Sequence, residues 1–272
     1  MFSEIDQDGL KWYASMDADK YFLVLSDDID SYLSCLFLRK KFGIEIGGFY
    51  DFKNLYKNSK VATKGKQPIY IDTDVCSGFA FGNHVTAFCN EDCINLNNNI
   101  GRGNYTSKFA GSTLITLLWF YDYDLKHKDH DKIRFYAMID SWQKQFFKFR
   151  KQWDRWVEDL EIGYMTEIVG AKDEKWYEAK RDLCGLTGKI VIQDDGTLDY
   201  TTINFEGIKK EFGITVPKLD LKFDKRIGTF EIYNSNISAG ISEEIKQLYE
   251  NGEVFSNAMT YRTSLRYSVL VA

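Results

Sequence analysis

Apolar and polar positions alternate along the chain in blocks whose period changes. Residues 20–25 read Lys-Tyr-Phe-Leu-Val-Leu, a run suited to a buried strand, and it stops abruptly in charge at Ser26-Asp27-Asp28-Ile29-Asp30-Ser31. Leu33, Leu36, Phe37 and Lys40 then recur at helical spacing until Gly43 supplies a stop. Residues 44–49 predict a second strand and 68–71 a third, which runs straight into Asp72-Thr73-Asp74. Residues 80–88 carry Gly82-Asn83-His84-Val85 at another predicted strand end, and 95–105 form a polar loop rich in Asn and Gly. The spacing of Phe109, Leu114, Leu117, Leu118 and Tyr121 predicts a helix over 107–121, and 134–139 reads as a strand ending at Asp140.

Strand and helix in alternation imply an α/β fold with an open, mainly parallel sheet over residues 1–140. Four strand ends carry polar side chains. In such sheets ligands bind at the carboxyl ends of the strands, so these ends are expected to converge on one crevice. Residues 141–164, where bases mix with Phe146, Phe147, Phe149, Trp153 and Trp156, predict a long linker helix. The remainder, 165–272, is expected to form a smaller α/β, substrate-binding-type domain. Its predicted strands lie at 189–193, 201–205, 229–233 and 264–271, and its helices at 205–212 and 242–250.

Composition narrows the function. Hydrophobic residues at 44% and aromatics at 16% supply sizeable cores for 272 residues. The longest apolar runs fall well short of a membrane span, and the N-terminus has no basic-then-apolar signal pattern. A cytoplasmic protein is therefore expected, and the many Asn, Lys, Tyr and Ile residues suggest an AT-rich genome, in a bacterial cell or a virus-infected host cell. Five cysteines without Cys-x-x-Cys spacing fit a reducing compartment. A net charge of −5 argues against a general nucleic-acid coat and leaves only a local basic patch to hold phosphates.

The candidate chemistry is acidic. Asp28 and Asp30, two residues apart after a strand, offer ligands that hard cations such as Mg²⁺ and Mn²⁺ prefer, although an acidic turn capping a helix gives the same pattern. Asp72, His84 and Asp140, each at a predicted strand end, strengthen the metal reading, while each also has a structural alternative as turn or cap. Arg102 and Lys108 flank a flexible loop before a helix N-terminus and suit an anion, or simply a solvated loop. The bases and aromatics of 144–156 suit either a nucleic-acid track or an amphipathic linker. No Gly-x-Gly-x-x-Gly or Gly-x-x-x-x-Gly-Lys follows a strand, which disfavours a plain dinucleotide or P-loop site.

The order and spacing of these residues resemble a DHH-superfamily phosphoesterase, the group that includes RecJ-type exonucleases, nanoRNases, cyclic-dinucleotide phosphodiesterases and family II pyrophosphatases. Val24 to Ser34 match its first motif at Asp28, Asp30 and Ser34. Asp72 in Ile-Tyr-Ile-Asp matches the second, Gly82-Asn83-His84 stands where the third has Asp-His-His, and Asp140 matches the fourth. Residues 260–267, with Ser-Leu-Arg, resemble the strand of the family's associated substrate domain. Val24 stands in place of the first histidine, Ser31 in place of a glycine, and Gly82-Asn83 in place of Asp-His. The Gly-Gly-Gly-His phosphate loop is missing.

The resemblance implies a Mn²⁺ or Mg²⁺ centre, one ion rather than two, held by Asp30, Asp72, Asp140 and Asn83 or His84, with Asp28 just outside it or at a weaker second position. Asp28 and His84 would be catalytic, and Arg102, Lys108, Arg262 and Arg266 would bind substrate phosphate. The implied activity is hydrolysis of a short oligonucleotide or nucleotide phosphodiester by metal-activated water. The alternative is a DHH fold that has lost catalysis and serves as a nucleotide-binding component, homodimer or assembly partner.

Overall fold

The structure, a computed structural model, describes residues 12–14 and 16–271. The first half contains β1 (Tyr21–Ser26), α1 (Ile29–Phe42), β2 (Ile46–Tyr50), β3 (Asn54–Lys57), β4 (Gln67–Ile71), β5 (Phe79–Phe81) and β6 (Cys93–Ile94). A helical stretch follows, with α2 (Thr113–Phe120), α3 (His130–Met138), α4 (Gln143–Lys148), α5 (Arg150–Asp159), α6 (Met165–Gly170) and α7 (Glu174–Cys184). The chain continues through β7 (Val191–Ile192), β8 (Leu198–Asp199), α8 (Phe205–Phe212), β9 (Lys225–Asn236), α9 (Glu243–Glu250), β10 (Val254–Tyr261) and β11 (Ser264–Leu270). No helix of the described residues is long and apolar enough to cross a membrane.

The fold is α/β, built on a nine-stranded sheet in the order β10-β11-β9-β3-β2-β1-β4-β5-β6, with β7 and β8 as a separate pair. Strands β2, β1, β4, β5 and β6 run parallel, and β3, β9, β11 and β10 add antiparallel pairings. Strand order reverses about β1, whose neighbours are β2 on one side and β4 on the other. That is the position where an open parallel sheet leaves a crevice beyond its strand ends.

The sheet also curls. The outer edge of β10 bonds to the loops that follow β4 and β5: Cys76 N–H donates to Phe255 O at 2.8 Å, Asn257 N–H to Asp74 O at 3.0 Å, and Met259 N–H to Val85 O at 2.7 Å. An edge strand's row of unpaired groups is thereby satisfied by the loops that carry the candidate site.

One apolar cluster extends from Met16 to Phe223 and includes Leu23, Leu25, Ile71, Phe109, Ile115, Trp142 and Trp153. The expected linker, 141–164, contributes Trp142, Trp153, Trp156 and Leu160 to it. That segment is not one helix. Phe149 adopts non-helical angles (φ −136°, ψ 56°) between α4 and α5, and the break folds α5 back so that the rings of Trp142 and Trp153 lie 4.6 Å apart.

The expected strand at 134–139 is instead the helix α3. Its start is set by Asp129, whose carboxylate accepts the Asp131 N–H at 2.8 Å, and its apolar residues pack against α6 and α8. The helix expected from residue 107 begins only at Thr113, with a 3-10 turn over Arg102–Ser107 before it. Residues 201–204 are turn, and the strand pairing falls earlier, at β8. Helix α8 spans the residues expected of it, 205–212, and is ended by Gly213.

Candidate metal centre

Asp28 and Asp30 leave β1 at the reversal point and take different tasks. Asp28 caps α1, its Oδ1 accepting the Ser31 N–H at 3.1 Å. Asp30, fully buried, caps a different helix. Its Oδ2 accepts the Thr113 N–H at 2.7 Å and its Oδ1 the Leu114 N–H at 2.9 Å, so the first turn of α2 donates directly to it. Ser112 Oγ takes the next N–H of that turn, from Ile115, at 3.1 Å.

Asp72 follows β4 and Asp140 follows α3, both at φ 55°. This left-handed region costs most side chains energy and is tolerated best by Asn and Asp. At two positions around one site it marks backbone held by its surroundings. Asp72 accepts the Thr113 hydroxyl at 2.8 Å, and Asp140 accepts Asn83 Nδ2 at 2.6 Å while remaining open to the cleft.

The outcome is a triad. One carboxylate oxygen from each of Asp30, Asp72 and Asp140 lies within 4.8 Å of the others, an arrangement that could hold a metal ion. Burial pushes the Asp30 carboxyl well above the usual carboxylate range, and repulsion from Asp72, Asp140 and Asp28 adds to this, against the Leu114 N–H. Burial likewise raises Asp72, reinforced by Asp28 and Asp140 and offset by His84 and the Thr113 hydroxyl. The burial of its surroundings and Asp28 raise Asp140, with His84, Asn83 and Asp30 acting the other way.

Clustered carboxylates whose mutual repulsion His84 offsets only in part are the environment a divalent cation relieves. Asn83, buried, donates through Nδ2 to Asp140 and to Gly111 O, and its Oδ1 has no hydrogen-bond partner, so a hard oxygen donor stands next to the triad. Hard oxygen donors throughout suit Mg²⁺ or Mn²⁺.

His84 lies outside this ligand set. Its Nδ1 is 2.9 Å from Asp74 Oδ2, its backbone N–H donates to the same oxygen at 3.3 Å, and its outer ring edge faces the cleft. Burial opposes its protonation, but the hydrogen bond and charge of Asp74, with Asp72 and Asp140 beyond, outweigh this and raise its pKa to about 9.

Asp74 is held from the other side by Asn95 Nδ2 at 2.6 Å, and Asn97 Nδ2 donates to Asn83 O and Phe109 O at 2.6 and 3.0 Å. The Asn-rich segment is thus a buried bracket beneath the site. Gly82 is required by this bracket, because a Cβ there would stand 2.1 Å from Asp74 Oδ1.

These groups surround an open cleft of about 240 Å³. Its floor carries Asp28, Asp72 and Asp140, and the facing wall, from β9, β10 and β11, offers Ile232, Asn257 and Tyr267. Of the four expected phosphate-binding residues, Arg266 lines the cleft. The other three are elsewhere: Arg102 Nη1 donates to Ile237 O and Ser238 O at 2.6 and 2.8 Å, Arg262 Nε donates to Arg102 O at 3.1 Å, and Lys108 Nζ bonds the Tyr105 hydroxyl at 3.2 Å. Lys189, not expected from sequence, stands at the cleft with Nζ 2.8 Å from Asp27 Oδ1 and 3.3 Å from Asp28 Oδ2.

Val24 faces away from the triad and packs in a second apolar cluster with Tyr50, Tyr70 and Val75. Comparison with known proteins adds no identity: no family model, curated protein or solved structure matches the chain.

Proposed function

We infer that this chain is a divalent-metal phosphoesterase acting on a nucleotide or short oligonucleotide. The observation that carries the reading is the triad of Asp30 and Asp72, both buried, and Asp140, open to the cleft, three carboxylates converging at the reversal point of the sheet's parallel strands. A bound ion would supply a water of lowered pKa and neutralise charge developing on phosphate oxygens.

The remaining tasks fall to side chains of the cleft. Lys189 and Arg266 provide positive charge for a phosphate, and His84, oriented by Asp74, presents a ring N–H toward a leaving oxygen. Phe52 and Tyr267 offer apolar faces on which a base can rest. A binding-only protein is the second reading, favoured by the engagement of Asp28 with Lys189.

The test is hydrolysis of a panel of linear and cyclic dinucleotides and pyrophosphate by purified protein with Mn²⁺, with chelator, and in Asp72→Asn. Turnover that needs Mn²⁺ and is lost in the variant supports the hydrolase. Equal background in all three, with the nucleotide still bound, replaces it by the binding protein.

A further inference from the structure

The triad leaves one nearby carboxylate pair unused by a metal. Asp27 and Asp28 face the same cleft, and both are directed at Lys189, whose ammonium group sits 2.8 Å from one and 3.3 Å from the other. This contact is built into the backbone as well as the side chains. Ile190 N–H donates to Asp27 O at 2.7 Å, and Asp28 pairs with Lys189 in an isolated antiparallel bridge. The lysine is therefore anchored, through backbone and side chain, to the segment carrying Asp28, 161 residues before it in sequence.

Asp28 adds to the negative potential at Asp30, Asp72 and Asp140 alike. Asp27, Asp28 and Asp72 line the same cleft, so an Asp28 freed from Lys189 would offer oxygens for a second cation next to the triad. An ammonium group and a divalent ion are both drawn to such a position, but only one can occupy it, and the lysine is tethered there at high local concentration.

We propose that Lys189 serves as a built-in cation at the second metal position, so that the centre takes a single ion and Lys189 supplies the other positive charge to a bound phosphate. This rests on the metal-centre reading of the triad. It predicts that the number of ions held is set by residue 189.

The experiment counts Mn²⁺ per chain by calorimetry and by electron paramagnetic resonance on folded protein. Wild type and Lys189→Arg are expected to bind one ion, Lys189→Met two, and Lys189→Met combined with Asp28→Asn one again. Two nearby Mn²⁺ ions also give a spin-coupled spectrum that one ion cannot. Lys189 is more than half exposed, and Asp28→Asn in the wild-type background provides a second arm should Lys189→Met fold poorly: it should still bind one ion, with affinity lowered only modestly by the loss of a negative charge outside the triad.

Two ions in the wild type, one ion in Lys189→Met, or a large loss of affinity in Asp28→Asn alone would each overturn the proposal, as would no ion in either wild type or Lys189→Met. Metal loading as expected without cleavage of any phosphodiester would reject the hydrolase and leave this assignment standing.

Discussion

Neutralising Asp140 should make the metal-free protein more stable while removing its response to metal. Its carboxylate lies within 4.8 Å of oxygens of Asp30 and Asp72. Two unit charges at that separation repel by about 0.9 kcal/mol with the screening of water and about 3.5 kcal/mol at an effective dielectric constant of 20. Asp140 is open to solvent and its neighbours share protons, so the lower figure governs, and relief of two such contacts amounts to about 1–2 kcal/mol.

Asp140→Asn keeps an oxygen to accept the Asn83 amide, its one side-chain hydrogen bond to an uncharged donor, so little opposes the gain. At about 2–4 °C per kcal/mol for a chain of this size, the melting temperature in chelator should rise by a few degrees. Asp30→Asn is the informative contrast. There the amide can accept only one of the two N–H groups from Thr113 and Leu114, and leaving the other unpaired costs about 1–3 kcal/mol, which cancels the relief.

With Mn²⁺ at about a hundred times its dissociation constant, wild type should gain about 2.7 kcal/mol, and either variant much less. Thermal unfolding by circular dichroism, with and without Mn²⁺, measures both effects. Destabilisation of metal-free Asp140→Asn, or an undiminished Mn²⁺ shift in that variant, would refute an electrostatically strained metal site.

Further outcomes follow from the same geometry. Because the carboxyls of Asp30, Asp72 and Asp140 are raised, the folded state binds more protons than the unfolded chain above the ordinary carboxylate range, so metal-free stability should fall as pH rises from about 4 toward neutrality, and Mn²⁺ should flatten that slope; a rising slope in chelator contradicts it. Val24→His should lower stability by about 1–3 kcal/mol without raising Mn²⁺ affinity, because it places an unpaired imidazole in the Tyr50–Tyr70 cluster, and calorimetry showing tighter binding would contradict this. Gly82→Ala should cost about 1–3 kcal/mol and shift the His84 ring resonances in NMR, since its methyl must displace Asp74; an unchanged His84 spectrum would show that the bracket yields elsewhere.

What could be read from sequence was local. The strand, acidic turn and helix of residues 21–42, stopped at Gly43, depend on neighbours a few residues apart and follow from periodicity. Residues 134–139 misled because Phe, Tyr, Met and Ile in so short a run suit strand and helix equally; the deciding signal was the Asp129 cap upstream, outside the apolar run. β3 escaped notice because it is polar and only half buried, and it exists through its pairing with β9, far along the chain.

The site divides in the same way. Asp28, Asp30, Asp72 and Asp140 were visible as acidic residues at element ends, whereas Lys189 had no local mark, since its meaning comes from a contact across the fold. Asn95 and Asn97 carry only a loop signature in the sequence, for Asn in a turn and Asn in a buried bracket look alike until tertiary contacts are known.

The return of β10 onto the loops after β4 and β5 bears on the order in which the molecule can be made. During synthesis the carboxylates emerge early, but Asp74 O and Val85 O receive their N–H partners only from Asn257 and Met259, much later in the sequence. A nascent chain that has reached residue 220 therefore has its acidic floor and lacks the wall opposite it. Contacts of such sequence separation are slow to close and entropically costly, so the cleft should be completed last and together with the sheet. Pulse-labelling hydrogen exchange would show this as late protection of the Asn257 and Met259 amides, after those of β1 and β4. Strands β10 and β11 would then act as the clasp of the cleft, and premature termination before them would yield a chain with its charges assembled and no enclosure to use them in.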